Sequence, residues 1–435
     1  MKISGCLIVK NEENNLENCI NSYKKIVDEI ILVDTGSSDN TIKIARKLGA
    51  KIFHYKWDDN FSNARNYAIS KAKGYWILFL DADEYFSSPL DASFLVELQR
   101  YNKRPDILGL AFKHVNVDIN TGKKSEEQYL IRMFRNKKNI RYKNSIHEYI
   151  ANSNGEMVVD IIKNKELIIY HTGYSKDILK EKVQRNLNLI LKDLDTKKDT
   201  PMTYFYLSDC YLNLNKYSKC IENAKKFLLA GQKTLGFDVK PYFNIIDSMF
   251  SLDKPFSEIN YEIDGAICKF PSHPEFYNFK ARLYLNNKMY DEALKYYNMC
   301  LNLQDNYDDI QINNMNSQFE SIYFNMGKIF LLKNNIENAF DCFIKVLNYN
   351  LYNEIAFRHI LKIVKTQKPE DIVALINSIY HIDSKKDMEF IVRNLCSCKY
   401  GIVLAYYANV WRNNFNIEDS SIMFNFLANK NYDTA

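Results

Sequence analysis

The sequence is poor in residues that break helices. Its 435 residues hold 13 Gly and 8 Pro, about 5% against roughly 12% in an average chain, which excludes a collagen-like chain and points to much helix. Long apolar runs are also missing: the stretch from Ile3 to Val9 is too short for a signal-peptide core, and that from Tyr400 to Trp411 is too short to span a bilayer. Neither sign of charge dominates, with 58 Lys and Arg against 53 Asp and Glu for a net +5, and no basic block marks a nucleic-acid arm. The nine cysteines, an odd number without a paired C-x-x-C pattern, read as reduced thiols and place the chain in the cytoplasm. No G-x-G-x-x-G follows the first apolar run. The segment Gly122-Lys123-Lys124-Ser125 lacks the upstream glycine and preceding strand of a Walker loop, which argues against a dinucleotide enzyme or an ATPase.

What is present is a globular composition, 46% hydrophobic and 26% charged, long enough for two or three domains. Up to about residue 81, apolar runs at Ile3 to Val9, Glu29 to Val33, Ala50 to Tyr55 and Tyr75 to Leu80 alternate with stretches of helical spacing. This predicts an α/β domain with a largely parallel sheet. Ser38 or Asp39 would cap the helix through Leu48. Further strand-like runs at Ile107 to Val115, Gln128 to Phe134, Ile140 to Ile150 and Leu167 to His171 predict that the sheet becomes mixed. From Ser175 the period turns helical through Leu179, Val183, Leu187, Ile190 and Leu194.

Beyond Pro201, three segments align with one another, pairing Tyr211 with Tyr284 and Phe330, Cys220 with Ala293 and Ala339, and Leu228 with Leu301 and Leu347. They resemble tetratricopeptide helix pairs, with the small residue letting two helices approach. A degenerate repeat around Tyr242 to Cys268 would fill the longest gap.

The strongest chemical feature is Asp81-Ala82-Asp83-Glu84 at the end of an apolar strand, where open α/β sheets place ligands. Strand alternation would put Asp81 and Asp83 on one face, where two carboxylates hold a hard divalent cation; a solvated acidic turn is the alternative.

Four motifs then agree in order and spacing: Ile8-Val9-Lys10-Asn11-Glu12-Glu13, Val33 to Thr41, Phe61-Ser62-Asn63-Ala64-Arg65-Asn66, and Asp81-Ala82-Asp83-Glu84. Together they resemble the nucleotide-sugar half of a family 2 glycosyltransferase of GT-A fold, and the repeats behind them match the bacterial subset that carries a helical repeat domain. The resemblance implies an α/β GT-A domain over residues 1–174, a connecting helix over 175–200, tetratricopeptide-like repeats over 201–365 and a helical cap over 366–435. It further implies that Asp34 and Glu12 line the nucleobase pocket, that Asp81 sits near the ribose or metal, that Asp83 is the principal metal ligand, and that Arg65 supports the pyrophosphate.

A second cluster, Arg132-Met133-Phe134-Arg135 followed by Asn144 to Tyr149, resembles the R-x-F-R…H-E arrangement of the same subset. It implies Glu148 as the base, with His147 completing the metal site or holding a phosphate. His171 would take the same role from the last strand of the domain. Packing or hydrogen bonding is the alternative for His147, Glu148 and His171, a surface ion pair for Arg65, and a helix-cap or loop role for Asp34 and Glu12. The basic residues Arg132, Arg135, Lys137, Lys138, Arg141 and Lys143 would offset diphosphate charge or form a solvated hairpin.

The expected activity is metal-dependent, inverting transfer of glucose or N-acetylglucosamine from a UDP-sugar, with Mn²⁺ or Mg²⁺, to a Ser, Thr or Cys side chain of a peptide or protein. The repeats would hold that acceptor or a dimer partner. Relatives of this architecture glycosylate bacteriocin peptides or flagellin. Synthesis of a cell-surface glycan is the alternative among enzymes. A repeat scaffold with a decayed nucleotide-binding domain is the alternative of another class.

Overall fold

The computed structural model describes residues 2–118, 121–164, 166–172, 176–196, 200–398 and 400–415. Gly173, Tyr174 and Ser175, at the expected domain joint, and residues 416–435 of the expected cap lie outside the described residues. The described residues group into two compact units, one running to Asn287 and including Met299–Ser317, the other comprising Lys288–Asn298 and the described residues from Gln318 onward.

In the first unit, strands and helices alternate as the apolar periods predict: β1 (Ile3–Val9), α1 (Leu16–Asn21), β2 (Glu29–Asp34), α2 (Thr41–Lys47), β3 (Lys51–His54), α3 (Phe61–Lys71) and β4 (Trp76–Phe79). Then come β5 (Glu84–Phe86), α4 (Ala92–Asn102), β6 (Gly109–Val117), β7 (Lys124–Arg135), β8 (Ile140–Lys143), β9 (Tyr149–Asn152), β10 (Val159–Ile162) and β11 (Ile169–His171). The main sheet has the order β3-β2-β1-β4-β7-β6-β11-β5, with β10 paired to β6. Its β1–β4 half is parallel, whereas β7 runs antiparallel to β4 and β6, so the sheet is mixed.

Both faces are covered, which the period-2 side-chain alternation shows directly. Ile3, Leu7, Leu32, Trp76 and Leu78 join one buried cluster, and Cys6, Ile31, Val33, Ile77 and Phe79 join the other. Tight spacing is enforced at Gly74, where an added Cβ would lie 2.5 Å from the Ser4 backbone nitrogen.

Three local expectations need correction. The run from Ile140 to Ile150 is not one strand: Asn144 (φ 74) and His147 (φ 51) adopt left-handed backbone, folding β8 back antiparallel onto β9. Asn40, not Ser38 or Asp39, occupies the N-cap position of α2, while Asp39 accepts from the Thr41 N–H two residues on. Asp81 and Asp83 do not continue a strand either, because the Glu84 N–H donates to the Asp81 carbonyl and closes a turn.

Helices make up the rest: α5 (Lys176–Thr196), α6 (Pro201–Asn213), α7 (Tyr217–Ala230), α8 (Lys240–Ser251), α9 (Phe256–Lys269), α10 (Pro274–Asn286), α11 (Tyr290–Asp305), α12 (Met315–Leu332), α13 (Ile336–Tyr349), α14 (Glu354–Ile363), α15 (Pro369–Ile379), α16 (Lys385–Cys398) and α17 (Gly401–Asn414). Four helical hairpins turn through a left-handed residue, at Asn215, Asp253, Lys288 and Asn334, and the aligned small residues Cys220, Ala293 and Ala339 are fully buried. Helices α8 and α9 occupy the stretch from Tyr242 to Cys268. All nine cysteines are free thiols. Among the described residues, no helix is long and apolar enough to cross a membrane.

Candidate active site

The site forms at the C-terminal ends of the parallel strands. β1 and β2 end side by side, Val9 opposite Asp34, and their following loops are laced together: Asn11 N–H donates to Ser37 Oγ, Glu12 N–H to Thr41 Oγ1 at 2.7 Å, and Asn40 N–H to Glu13. Asp34 is buried, with Oδ1 accepting from Ser37 N–H at 3.0 Å and Oδ2 meeting Gly36 N–H and the exposed His54 ring. Among the described residues, Oδ1 accepts only this one hydrogen bond and keeps a lone pair for a further donor. Burial pushes the Glu12 carboxyl up, Asn15 opposes it, and the charges of Asp83, Asp81 and Asp39 add to the rise. The Glu12 loop therefore feels the carboxylates after β4.

Those carboxylates belong to an interlocked network. Arg65, projecting from α3 and 6% exposed, donates from Nε to Glu148 Oε1 at 2.7 Å and from Nη2 to Asp81 Oδ1 at 2.8 Å. Its guanidinium also lies over the rings of Phe79 and Tyr142. On the other side, Arg132 of β7 bridges Asp81 and Glu84. Glu84 Oε1 meets His114 Nε2 at 2.9 Å, and its Oε2 accepts the Asp81 N–H. Burial would raise Glu84, but Arg132 and His114 outweigh it and hold the carboxyl well below its usual range. Burial pushes Asp81 up, against the pull of Arg65 and Arg132. Arg65 Nη1 and Arg132 Nε are enclosed without a hydrogen-bond partner, so both guanidinium groups are held through their other nitrogens, by Asp81 and Glu148 for Arg65 and by Asp81 and Glu84 for Arg132.

Asp83 faces a different neighbour. Its Oδ2 lies 3.2 Å from His171 Nε2, and the other ring nitrogen meets Asn116 Oδ1 at 2.9 Å. Burial alone would lower His171, but the Asp83 carboxylate outweighs it and the imidazole pKa is raised. These side chains stay partly open, 24% and 17% exposed; the Asp83 carboxylate is an oxygen donor suited to Mn²⁺ or Mg²⁺ with further ligands from substrate and water, and the neighbouring imidazole could join it on the softer Mn²⁺. Among the described residues, no group of three or more His, Cys, Asp or Glu side chains is arranged to hold a metal by itself.

Glu148 and His147 sit between β8 and β9 and point to different partners. Glu148 reaches Arg65 from 83 positions away. His147 instead stacks on Tyr206 of α6, ring centroids 4.0 Å apart and planes within 7°. His171, rather than His147, is thus the imidazole that meets Asp83. Of the basic stretch, Arg135 is a structural residue, 1% exposed and donating to the carbonyls of Ile107, Tyr101 and Arg104, while Arg132 belongs to the network.

Sequence reasoning did not single out His114 and Asn116. Two polar residues two apart in the apolar strand β6 were the available signal, since that spacing puts both on one face. Farther along, a polar cavity of about 220 Å³ lies between β6–β7 and the segment after α11, lined by Lys113, Glu127, Tyr129, Gln304, Tyr307 and Asn313 among others. Glu127 and Asn313 exchange backbone hydrogen bonds there at 2.8 Å.

Comparison with known proteins agrees with this architecture. Residues 4–159 match Glycosyl transferase family 2, and residues 274–307 and 320–353 match the Tetratricopeptide repeat; over those stretches the chain is similar to a family 2 glycosyltransferase domain and to tetratricopeptide repeats. It is 38% identical over 186 residues to a TPR repeat-containing protein of Synechococcus elongatus, covering 42% of this chain and 44% of that protein. It is 29% identical over 228 residues to the SPbeta prophage-derived glycosyltransferase SunS of Bacillus subtilis, 51% of each chain. The S. aureus TarS 1-349 structure is 15% identical, covers 62% of this chain and 90% of its own, and has a TM-score of 0.32. The chain spans about half the length of the curated relatives it matches.

Proposed function

We propose that this protein is a metal-dependent, inverting glycosyltransferase that moves glucose or N-acetylglucosamine from a UDP-sugar to a Ser, Thr or Cys side chain of a peptide or protein. The observation that carries the reading is the Arg65 bridge, which holds Glu148 and Asp81 on one guanidinium beside the strand ends. In this reading residues 1–174 bind the donor, the helix over 175–200 connects, the repeats over 201–365 hold the acceptor, and residues 366–435 cap them. The laced loops carrying Glu12 and Asp34 receive the uracil. Arg65 and Arg132 place positive charge beside the diphosphate, with Asp81 fixing both guanidinium groups.

Asp83, with His171 beside it, would hold the divalent cation. That ion, when bound, neutralises the departing diphosphate. The acceptor oxygen or sulfur attacks the anomeric carbon from the face opposite the leaving group, its proton passes to Glu148 Oε2, and UDP departs with the electron pair of the broken bond. Arg65 engages the other oxygen, Oε1, and so sets the carboxylate plane. A thiol acceptor asks less of this base than a hydroxyl, because a free thiol titrates near about 8.5.

The test is a panel of nucleotide sugars with Mn²⁺, Mg²⁺ or chelator, using wild type and Asp83→Asn. Metal-dependent turnover of one UDP-sugar, abolished in the variant while the fold stays intact, is expected. Binding of no donor would favour the scaffold reading, and full activity of Asp83→Asn under chelation would remove the metal.

A further inference from the structure

The turn that presents Glu148 is held from two sides. On one side the helix carrying Arg65 grips it: Phe61 N–H donates to the Ser145 carbonyl at 2.9 Å, Ser62 Oγ–H to the Asn144 carbonyl, and Asn66 exchanges hydrogen bonds with the Tyr142 backbone. On the other side the first repeat grips it. Ile146 joins a buried cluster with Leu187, Ile190, Leu207 and Tyr211, and the next residue, His147, lies flat on Tyr206. His147 is held at φ 51, a left-handed conformation that costs a non-glycine residue energy and persists only when its surroundings over-determine it. Its Nε2 is buried without a hydrogen-bond partner. The left-handed backbone reverses the chain between β8 and β9, but that reversal does not account for the burial of the imidazole against Tyr206 with its Nε2 unpartnered.

We propose that Tyr206 is a positioning residue for transfer: by stacking on His147 it fixes the turn that aims Glu148, so the repeat helices complete the catalytic site as well as offering a surface to an acceptor. This rests on the reading of Glu148 as the base. Because Glu148 is the residue directly after His147, a ring flip or backbone change at His147 re-aims the carboxylate that Arg65 must meet. The electrostatics agree with the proximity, as burial and the Glu148 charge both push the Tyr206 phenol up. The inference concerns the chemical step, so it applies to hydrolysis of the donor by water even when no acceptor is present.

The experiment measures donor hydrolysis by the full chain, kcat and KM, with UDP affinity determined separately by calorimetry. Tyr206→Leu, which keeps apolar volume and removes the ring, is expected to lower kcat at least about tenfold while UDP affinity stays within about twofold. Tyr206→Phe, which keeps the ring, is expected to restore kcat to within about threefold of wild type. His147→Phe keeps a stacking ring without nitrogens and is expected to retain the metal dependence of turnover. An unchanged kcat in Tyr206→Leu overturns the proposal, as does a parallel loss of kcat and UDP affinity, which marks Tyr206 as merely structural. Loss of metal-dependent turnover in His147→Phe also overturns it, and this arm decides the matter if Tyr206→Leu does not fold. Absence of hydrolysis and UDP binding in the wild type itself would instead fault the reading of function.

Discussion

Replacing Arg65 by Met removes a guanidinium that ties α3 to both the turn after β4 and the β8–β9 turn. Two charge-assisted hydrogen bonds are lost, at 2.7 and 2.8 Å, and each contributes roughly 1.5–3 kcal/mol, so about 6 kcal/mol is the ceiling. The side chains left behind set the discount. Asp81 keeps Arg132 and is 30% exposed, so it re-solvates in part, whereas Glu148 is only 14% exposed and loses its cation. The expected cost is about 3 kcal/mol, most of it the penalty of a carboxylate left without its partner. The decisive comparison is therefore the triple variant Arg65→Met, Asp81→Asn, Glu148→Gln. With the carboxylates neutralised, it is expected to recover at least about 1 kcal/mol relative to Arg65→Met alone, a non-additivity characteristic of a shared network. Urea denaturation followed by tryptophan fluorescence, with Trp76 buried in β4 as a reporter, measures all three proteins. A loss below about 1 kcal/mol in the single variant, or a triple variant less stable than the single, would refute the reasoning.

Glu275 offers a pH test away from the site. Burial raises its pKa to about 8 from an ordinary 4.5, against hydrogen bonds from Asn314. The folded state thus holds a proton that the unfolded state releases, so the contribution is fully present below pH 4.5 and is lost as pH rises through 8. Urea midpoints at pH 5, 6.5 and 8 should show wild type losing on the order of 2–4 kcal/mol relative to Glu275→Gln across that range, and parallel curves would contradict the assignment. Gly74→Ala drives a Cβ to 2.5 Å from the Ser4 nitrogen and 2.8 Å from the Ile3 carbonyl carbon, and a backbone contact cannot rotate away. A loss of roughly 1–3 kcal/mol by thermal unfolding is expected, and none if the β1–β4 edge can separate. Among the thiols Cys268 is exposed, Cys396 and Cys398 are half-buried and six are buried. Ellman's reagent should therefore titrate Cys268 rapidly in the native protein and all nine thiols in denaturant, with reductant leaving the melting temperature unchanged.

Much of the architecture was legible because it is written in local periods. Alternating apolar runs marked β1 to β4, and the spacing of Cys220, Ala293 and Ala339 marked three helical hairpins whose turns fall at Asn215, Lys288 and Asn334. The shift from two-residue to helical periodicity after residue 175 marked the change to helices. Reading failed where a single backbone conformation overrides a propensity: the left-handed Asn144 and His147 split an apolar stretch into a hairpin, and the turn at Asp81 separated two carboxylates that strand geometry would have paired. The short strands β5 and β10 carry too few residues for a period to show.

Sequence alone placed Asp81 and Asp83 at the end of an apolar run that reads as a buried strand, and the family resemblance added Glu12 and Asp34 at the ends of the first two such runs. It did not determine how they are partnered. Arg65 and Glu148 are 83 positions apart, and Asp83 and His171 are 88 apart; neither pair is connected by any repeat or spacing that a linear chain displays. Tertiary packing decided that Arg65 is a buried bridge rather than a surface ion pair, that His171 rather than His147 meets Asp83, and that Arg132 belongs to the site while Arg135 braces the fold. The reason is that burial strips the solvent which would let a charge choose its partner freely, so each ion is committed to whatever the converging strands and helices place within hydrogen-bonding distance.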